Sequence, residues 1–247
     1  MSGSLVWISG ASSGIGLALA ASVPWSEARV IGISRRPPPG NASNGSIEHL
    51  RADLADPAGW QTVGASFRAE LGRLDPERVV FVHAAGTLEP VGFAGEVETE
   101  AYASNVVLNS AAAQVLGHMF LAAVAPLAAS QRHLVMISSG AARSVYAGWS
   151  SYGAGKAAMD CWVRNVGAEQ AARGGVRVWS VAPGTVDTGM QDLLRHTAEA
   201  DFPARSKFVE LHATGGLAQP AQVADRIWAL LDQDLPNGTV LDLRDHR

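Results

Sequence analysis

Three polar side chains in the second half of the chain could together deliver a proton. Lys156 follows Tyr152 by four residues, and Ser139 precedes both at the end of an apolar run. Residues four apart on a helix share one face, so the Lys156 ammonium would lie beside the Tyr152 phenol. A nearby cation lowers the pKa of a phenol by roughly 1–3 units, which makes it a better general acid at neutral pH. The spacing alone is weak evidence, because tyrosine and lysine are often found four residues apart on helix surfaces.

A glycine-rich segment near the start of the chain could bind a phosphate group. It reads Ser-Gly-Ala-Ser-Ser-Gly-Ile-Gly over residues 9–16, after an apolar run and before an alanine-rich stretch. Glycine lets the backbone approach a pyrophosphate, and the amides of a helix that begins there favour its negative charge. The spacing differs from the common G-x-G-x-x-G fingerprint, so an ordinary turn with a helix cap is an equal alternative. The candidate contacts are Gly10, Ser12, Ser13, Gly14, Ile15 and Gly16.

The elements that would position these residues alternate along the chain. Helix-like stretches separate short apolar runs, and the two longest helices are expected at about 98–128 and 150–172. Asp56 as N-cap and Pro57 as first helical residue mark another helix start. The pattern predicts an α/β protein with a Rossmann-type, doubly wound parallel sheet of about seven strands and helices on both faces. The predicted strands are 5–9, 29–34, 47–52, 79–83, 133–138, 176–182 and 239–243.

The composition predicts one domain over residues 1–247 and excludes several classes of function. With 47% hydrophobic and 17% charged residues, the chain can bury a large core. A net charge of −4 and a pI near 6.0 provide no broad basic field, so we expect no nucleic-acid partner.

We expect no membrane partner and a cytoplasmic location. The N-terminus lacks a cleavable signal pattern, and no apolar run reaches the roughly 18 residues that a membrane span needs. The histidines show no ligand-like spacing, so no metal site is expected. The single cysteine, Cys161, is expected to be an inert packing residue.

Together, the two motifs resemble the short-chain dehydrogenase/reductase family in its single-domain form. The resemblance extends through most of the chain, since residues 83–86 stand where the family usually has Asn-Asn-Ala-Gly. It implies a catalytic tetrad of Asn105, Ser139, Tyr152 and Lys156, in which Asn105 opens the long helix and holds a water joined to the lysine. His83, where the family has asparagine, is expected to be structural. The resemblance also implies cofactor contacts outside the glycine turn: Asp53, Leu54, Ala85, Gly86, Tyr152, Lys156, Pro183, Gly184, Val186 and Thr188.

The end of the second strand predicts the cofactor. An enzyme that prefers NAD usually has an acidic residue there to hold the ribose hydroxyls, whereas this chain has Ser34, Arg35 and Arg36. Guanidinium groups suit a 2′-phosphate, so we expect NADPH, with Arg35 stacked on the adenine and paired with the phosphate. The alternative is that both arginines are simply solvated, and Ser13 lacks the basic side chain that many NADP-binding relatives carry.

The resemblance implies hydride transfer from NADPH to a carbonyl carbon. Ser139 would bind the carbonyl oxygen, Tyr152 would protonate it, and Lys156 would lower the tyrosine pKa and contact the nicotinamide ribose. One alternative is an NAD-linked alcohol or steroid dehydrogenase, which the two arginines disfavour. Another is a regulator that binds nucleotide without catalysis, which the intact tetrad disfavours.

Three further segments resemble sepiapterin reductases and the related benzil reductases: Gly148-Trp149, residues 187–191 and the ending 238–245. We therefore expect a small-molecule ketone or diketone. Asp242 matches the pterin-anchoring aspartate of sepiapterin reductases, with capping of the last strand as the alternative. The expected substrate contacts are Ser139, Trp149, Tyr152, Met190 and Asp242.

The family also suggests a lid and an oligomer. Residues 189–216 follow the Pro-Gly turn, where the family places a substrate lid, and their apolar residues suit a hydrophobic ketone. In the family the two longest helices form the dimer interface. We therefore expect a homodimer or a homotetramer.

Overall fold

Seven parallel strands form the central sheet of the protein, which a computed structural model describes over residues 3–40, 46–127 and 131–246. Their spatial order is β3-β2-β1-β4-β5-β6-β7, and every adjacent pair is parallel. All seven predicted strands are found, with ends shifted by at most two residues. The strands are β1 (Ser4–Ser9), β2 (Arg29–Ser34), β3 (Ile47–Arg51), β4 (Arg78–His83), β5 (Gln131–Ile137), β6 (Arg177–Ala182) and β7 (Val240–Asp242).

Helices connect the strands and cover the sheet. Asp56 caps the second helix as predicted, because its carboxylate accepts a hydrogen bond from the Ala58 amide at 2.8 Å. A π-helical segment, Val107–Ala111, joins the third and fourth helices into one continuous rod. The helices are α1 (Gly14–Ala21), α2 (Pro57–Leu71), α3 (Thr99–Val106), α4 (Ala112–Val124), α5 (Ser150–Arg173), α6 (Gly189–His196), α7 (Arg205–Ala213) and α8 (Pro220–Leu230).

Alternate residues of the strands build two apolar layers, one on each face of the sheet. On one face Trp7 packs edge-on against Phe67 of α2, with ring centroids 5.0 Å apart, and α4 and α5 complete the layer. On the other face Ile8 packs with Leu19 of α1 and Ile227 of α8. Full burial of such side chains contributes about 1.5–3 kcal/mol each. The doubly wound α/β fold predicted from the sequence is confirmed.

The winding reverses between β1 and β4, and this places two loops side by side. Ser9 at the end of β1 pairs in register with His83 at the end of β4. The chain after each strand therefore leaves the same edge of the sheet, and a Cβ on Gly10 would lie only 2.9 Å from the Ala85 nitrogen. Ligands of open α/β sheets bind in the crevice at such a point.

The long rod Thr99–Val124 corrects one expectation, because its length and composition would suffice to cross a membrane. An 18-residue window in it has a mean hydropathy of 1.5. Such a helix is weak evidence for a span, since core helices pass the same test. Here Leu116 and Phe120 are fully buried in the layer against β1 and β4. The buried part of this window, which is 33% of it, thus belongs to the core.

Two smaller expectations have different outcomes. Cys161 is exposed on α5 instead of packed among apolar residues, so that expectation is wrong. The proline- and glycine-rich composition of residues 37–45 predicts a surface loop, and its residues 41–45 lie outside the described part of the chain.

Candidate active site

A cleft of about 1230 Å³ lies at the carboxyl ends of the strands. The predicted cofactor contacts all line it, from the glycine turn after β1 to Thr188 after β6. Ser139, Trp149, Tyr152 and Met190 line it as well, whereas Asp242 does not. Among the described residues, no group of three or more His, Cys, Asp or Glu side chains could hold a metal ion.

The glycine turn has the shape of a phosphate cradle. Gly10 and Gly14 have φ values of 71° and 54°, in the left-handed region that side-chain-bearing residues rarely adopt. A Cβ on Gly16 would lie 2.3 Å from the Gly10 carbonyl oxygen, so only glycine lets α1 start this close to the turn. Ser13, the N-cap residue, makes no side-chain cap hydrogen bond. The first amides of α1 therefore remain suited to an anion. These features fit a dinucleotide.

Ser139 and Tyr152 meet beside this cradle. Ser139 follows β5, and its hydroxyl accepts a hydrogen bond from the Ala141 amide at 3.1 Å, which fixes the side chain. Tyr152 lies in the first turn of α5 and is 7% exposed. Burial raises the pKa of Tyr152, and a hydrogen bond with Ser139 acts in the opposite direction. The phenol therefore keeps its proton at neutral pH.

Lys156 lies beside Tyr152, as the helical spacing predicts, with its Nζ 5.8 Å from the centre of the tyrosine ring. The ammonium is buried and donates a hydrogen bond to the Ile137 carbonyl oxygen at 2.8 Å. Burial lowers the pKa of Lys156 to about 8, against the attraction of Asp160. The expected lowering of the Tyr152 pKa is not found, because burial of the phenol outweighs other influences.

Two buried asparagines stand on the rod that crosses this site. Asn105 donates hydrogen bonds to the carbonyl oxygens of Thr87 and Glu89, at 3.2 and 2.7 Å, and accepts one from Asn109 at 2.9 Å. Asn109 accepts a hydrogen bond from the Thr87 amide at 3.2 Å and donates one to the Thr87 carbonyl oxygen at 2.8 Å. Together they fix the loop after β4.

Asn109 takes the position that we expected of Asn105. The helix opens at Val107–Ala111, and Asn109 is the asparagine inside this π-helical segment. A Cβ on Gly86 would lie 2.8 Å from Asn109 Oδ1 and 3.5 Å from Lys156 Nζ, so both groups border the same point. The Asn109 side chain also packs against Gly155, next to Lys156. From the sequence, Asn109 is expected on the same side of the helix as Asn105, four residues earlier, but no role could be assigned to it.

Two exposed arginines lie after β2, at the position from which the preference for NADPH was predicted. Arg35 and Arg36 border the cleft, near Asp53 and Leu54. The Ser34 hydroxyl donates a hydrogen bond to the Arg36 carbonyl oxygen at 2.5 Å, so Ser34 shapes the turn that carries both side chains. The Asp53 carboxylate accepts a hydrogen bond from the Ala55 amide at 3.0 Å and fixes the facing loop.

An aromatic wall joins the predicted lid to Tyr152. The Trp149 ring stacks on Phe202 of the lid, with centroids 4.7 Å apart, and meets Tyr152 edge-on at 5.6 Å. The Trp149 Nε1 is buried and has no hydrogen-bond partner among the described residues. Met190 of α6 and Phe208 of α7 also border the cleft. This end of the cleft suits an apolar ligand with a polar group.

Asp242 does not face the cleft, which corrects its prediction as a substrate contact. Its side chain is 2% exposed, and Arg244 donates to both carboxylate oxygens, from Nε at 3.0 Å and from Nη2 at 2.7 Å. Arg143 adds a contact at 3.4 Å. The hydrogen bonds from Arg244 hold the pKa of Asp242 below its ordinary value. Arg244, instead of Asp242, borders the cleft.

His83 ties the two central strands together, which agrees with the structural role expected for it. The Ser9 hydroxyl accepts hydrogen bonds from the Ala84 and Ala85 amides, so its own proton goes to His83 Nδ1 at 3.0 Å. Burial lowers the pKa of His83 to about 3, and the nearby Lys156 charge adds to this. The imidazole is therefore neutral and holds the turn beside the glycine cradle.

The fold and this cleft define an oxidoreductase class: a doubly wound dinucleotide-binding protein with a serine–tyrosine–lysine site. The sequence profile described as short chain dehydrogenase matches residues 4–199. The chain belongs to this family of oxidoreductases, whose members bind nicotinamide nucleotides.

Two relatives are reductases by name. The chain is 29% identical over 242 residues to benzil reductase ((S)-benzoin forming) of Bacillus subtilis, covering 96% of this chain and 97% of the relative. It is 33% identical over 198 residues to sepiapterin reductase of Mus musculus, covering 78% and 74%. Both groups were anticipated from the sequence.

A solved structure has the same fold. The KRED1-Pglu enzyme superimposes with a TM-score of 0.80 at 23% identity, over 96% of this chain and all of the other. This likeness confirms the Rossmann-type arrangement of sheet and helices.

Proposed function

We propose that the protein is an NADPH-dependent carbonyl reductase that acts on a ketone or diketone, with Tyr152 as the proton donor. The observation that carries this proposal is the convergence of Ser139, Tyr152 and Lys156 on the cleft that holds the glycine cradle. The relatives named for benzil and sepiapterin support a carbonyl substrate. The enzyme would act in the cytoplasm as a homo-oligomer on a small molecule.

The side chains of the site divide the work of carbonyl reduction. The nicotinamide cofactor, when bound, supplies the hydride. The Ser139 hydroxyl donates a hydrogen bond to the substrate oxygen and holds it against Tyr152. The Tyr152 phenol, which keeps its proton because burial raises its pKa, donates that proton to the same oxygen. The Lys156 ammonium then stabilises the phenolate until a new proton arrives.

We assign to Asn109 the relay position beside Lys156, with Asn105 as its support. Asn109 lies in the opened part of the helix and borders Lys156 across Gly86. Asn105 binds two carbonyl oxygens of the loop after β4 and accepts a hydrogen bond from Asn109, so it holds Asn109 in place.

The arginines after β2 support the choice of NADPH. Arg35 and Arg36 are exposed at the cleft edge, and a guanidinium pairs with a 2′-phosphate better than with ribose hydroxyls. The only acidic side chain at this end that borders the cleft in the described chain is Asp53, and it lies on the loop after β3. NADPH is therefore favoured over NADH.

One kinetic experiment tests the proposal. Purified protein is mixed with NADPH or NADH and with benzil, sepiapterin or an aromatic ketone, and nucleotide absorbance is followed. We expect turnover with NADPH. Tyr152→Phe should abolish turnover and retain NADPH binding. Arg35→Glu should weaken the binding of NADPH far more than the binding of NADH. Preference of the unmodified enzyme for NADH with alcohols would support a dehydrogenase instead. Tight NADPH binding without turnover across the panel would support a regulator.

A further inference from the structure

Arg244 occupies the wall of the cleft next to the proton-donating residues. A Cβ on Gly140, the residue after Ser139, would lie 3.4 Å from Arg244 Nη2. The aliphatic part of Arg244 packs over Gly184 after β6, where a Cβ would lie 3.2 Å from its Cγ. The guanidinium is thus placed between the loops that carry Ser139 and Pro183. Arg244 is one of the residues that line the cleft.

Asp242 fixes this guanidinium by one edge and leaves the other edge open. The carboxylate takes the Nε and one Nη2 hydrogen of a group that has five N–H donors. Within residues 3–40, 46–127 and 131–246, the Arg244 side chain donates to Asp242 alone. The side chain is 62% exposed, against 2% for Asp242. The remaining Nη1 and Nη2 hydrogens form a planar pair that matches a second carboxylate.

The surrounding charges favour an anion. Arg143, Arg244 and Asp242 together carry one net positive charge, and the exposed carboxylate of Asp245 offsets part of it at Arg244. Lys207 of α7 adds another on the lid side, where its Nζ donates a hydrogen bond to the Tyr146 hydroxyl at 3.0 Å. Glu89 is the one acidic residue of the described chain that borders this end of the cleft.

We propose that Arg244 selects substrates in which the carbonyl group accompanies a carboxylate, that is, aromatic oxo acids. This inference rests on the proposed reductase function and names its substrate class. The carbonyl carbon gains a hydride from NADPH, its oxygen gains the Tyr152 proton, and NADP⁺ and a hydroxy acid leave. The carboxylate takes no part in the redox step. It pairs with the open edge of Arg244 while the aryl group contacts Trp149.

A cleft that recognises an aminopyrimidine would need different hydrogen-bonding groups at this place. Such a ring donates hydrogen bonds and needs an acceptor, but both oxygens of Asp242 already accept from Arg244 and Arg143. A guanidinium at the same place presents donors. The cleft therefore offers hydrogen-bond donors where the ring of a pterin would need an acceptor.

Paired substrates isolate the contribution of Arg244. Phenylglyoxylate and 3-benzoylpropionate are each compared with their methyl esters, using unmodified enzyme, Arg244→Met and the control Arg143→Met, which changes the same charge cluster away from the cleft. We expect Arg244→Met to lower kcat/KM for at least one acid by tenfold or more while its ester changes by less than about threefold. Arg143→Met should lower both slightly. Equal losses for acid and ester, or equal effects of the two variants, would overturn the proposal.

Equilibrium binding keeps the test independent of turnover. The NADPH-loaded enzyme is titrated with mandelate and with mandelamide by calorimetry, and Asp242→Asn/Arg244→Met serves if the single variant is unstable. Mandelate binding that disappears in the Arg244 variants supports the inference even if benzil is not reduced. Failure of the unmodified enzyme to bind mandelate better than mandelamide overturns it, even if benzil reduction upholds the proposed function.

Discussion

Burial sets the properties of the proton-delivering residues. Tyr152 and Lys156 lie next to each other, but both are shielded from water, so burial shifts the pKa of each towards its neutral form. For the phenol this means retention of the proton that reduction requires. For the lysine it means an ammonium that is lost at a much lower pH than in solution.

Reduction should therefore fail on the alkaline side at the Lys156 pKa. That pKa is lowered from 10.5 to about 8, so the ammonium is present below pH 8 and lost above it. We expect kcat/KM for ketone reduction to fall as pH rises past about 8, measured at saturating NADPH. Lys156→Arg keeps its charge at every pH of the series, so any residual activity should lack this limb. A flat profile to pH 10 in the unmodified enzyme would contradict the assignment.

The site residues show which roles can be read from a sequence. The positions of Tyr152 and Lys156 follow from helical spacing, which is a local property. The role of Asp242 could not be predicted in this way, because a carboxylate can bind a substrate only if no neighbouring cation already binds its oxygen atoms. Arg244 follows Asp242 by two residues, in the turn after β7, and is therefore a nearby cation in the sequence. That signal was available, but the position of both side chains relative to the cleft was not.

Among the elements, the π-helical segment of the rod matters most for the site. It places Asn109 against Gly86 and next to Lys156, while Asn105 remains one turn earlier and binds the loop after β4. Helix propensities predict a helix over this stretch without indicating where it widens. The boundaries of the rod were therefore predictable, and the choice between its two asparagines was not.

Substitution of the two asparagines should separate relay from support. We expect Asn109→Ala to lower kcat at least tenfold and to shift the alkaline limb of the pH profile, with little change in NADPH affinity. Asn105→Ala removes the hydrogen bonds to the carbonyl oxygens of Thr87 and Glu89, each of which contributes about 0.5–1.5 kcal/mol, although Asn109 still donates to the Thr87 oxygen. Its main effect should appear in the melting temperature. If Asn105→Ala instead lowered kcat and Asn109→Ala mainly lowered the melting temperature, the relay role would belong to Asn105.

At the scale of the whole molecule, the strands were predictable because a parallel sheet covered on both faces leaves little choice of residue. Val79–Val82 and Leu134–Met136 are almost entirely shielded from water, and such continuous apolar runs are visible in a sequence. The aromatic wall could not be predicted, since Trp149 and Phe202 are far apart in the sequence and meet only in the folded protein.

Association of copies is a further prediction at this scale. Val106 on the rod and Cys161 on α5 are exposed, on the two helices expected to pair. Light scattering should give a mass of at least twice 25.8 kDa. The single thiol should react slowly with a thiol reagent in the native protein and fully after denaturation, because a partner helix covers it. A monomer with a rapidly reacting Cys161 would contradict this prediction.

The widened turn in the rod also has a geometric consequence for the protein. Each residue advances an α-helix by about 100°, and a π turn takes up about one residue more than an α turn. The apolar stripe of the second half is therefore displaced by about one residue relative to the first half. Ala101 and Ser104 of the first half border the cleft, and Leu116 and Phe120 of the second half are buried in the core. Deleting one residue between 107 and 111 would bring the halves back into phase. Chain length in this turn thus affects the angle between the wall of the cleft and the core, which is a constraint in addition to the one on the Asn109 side chain.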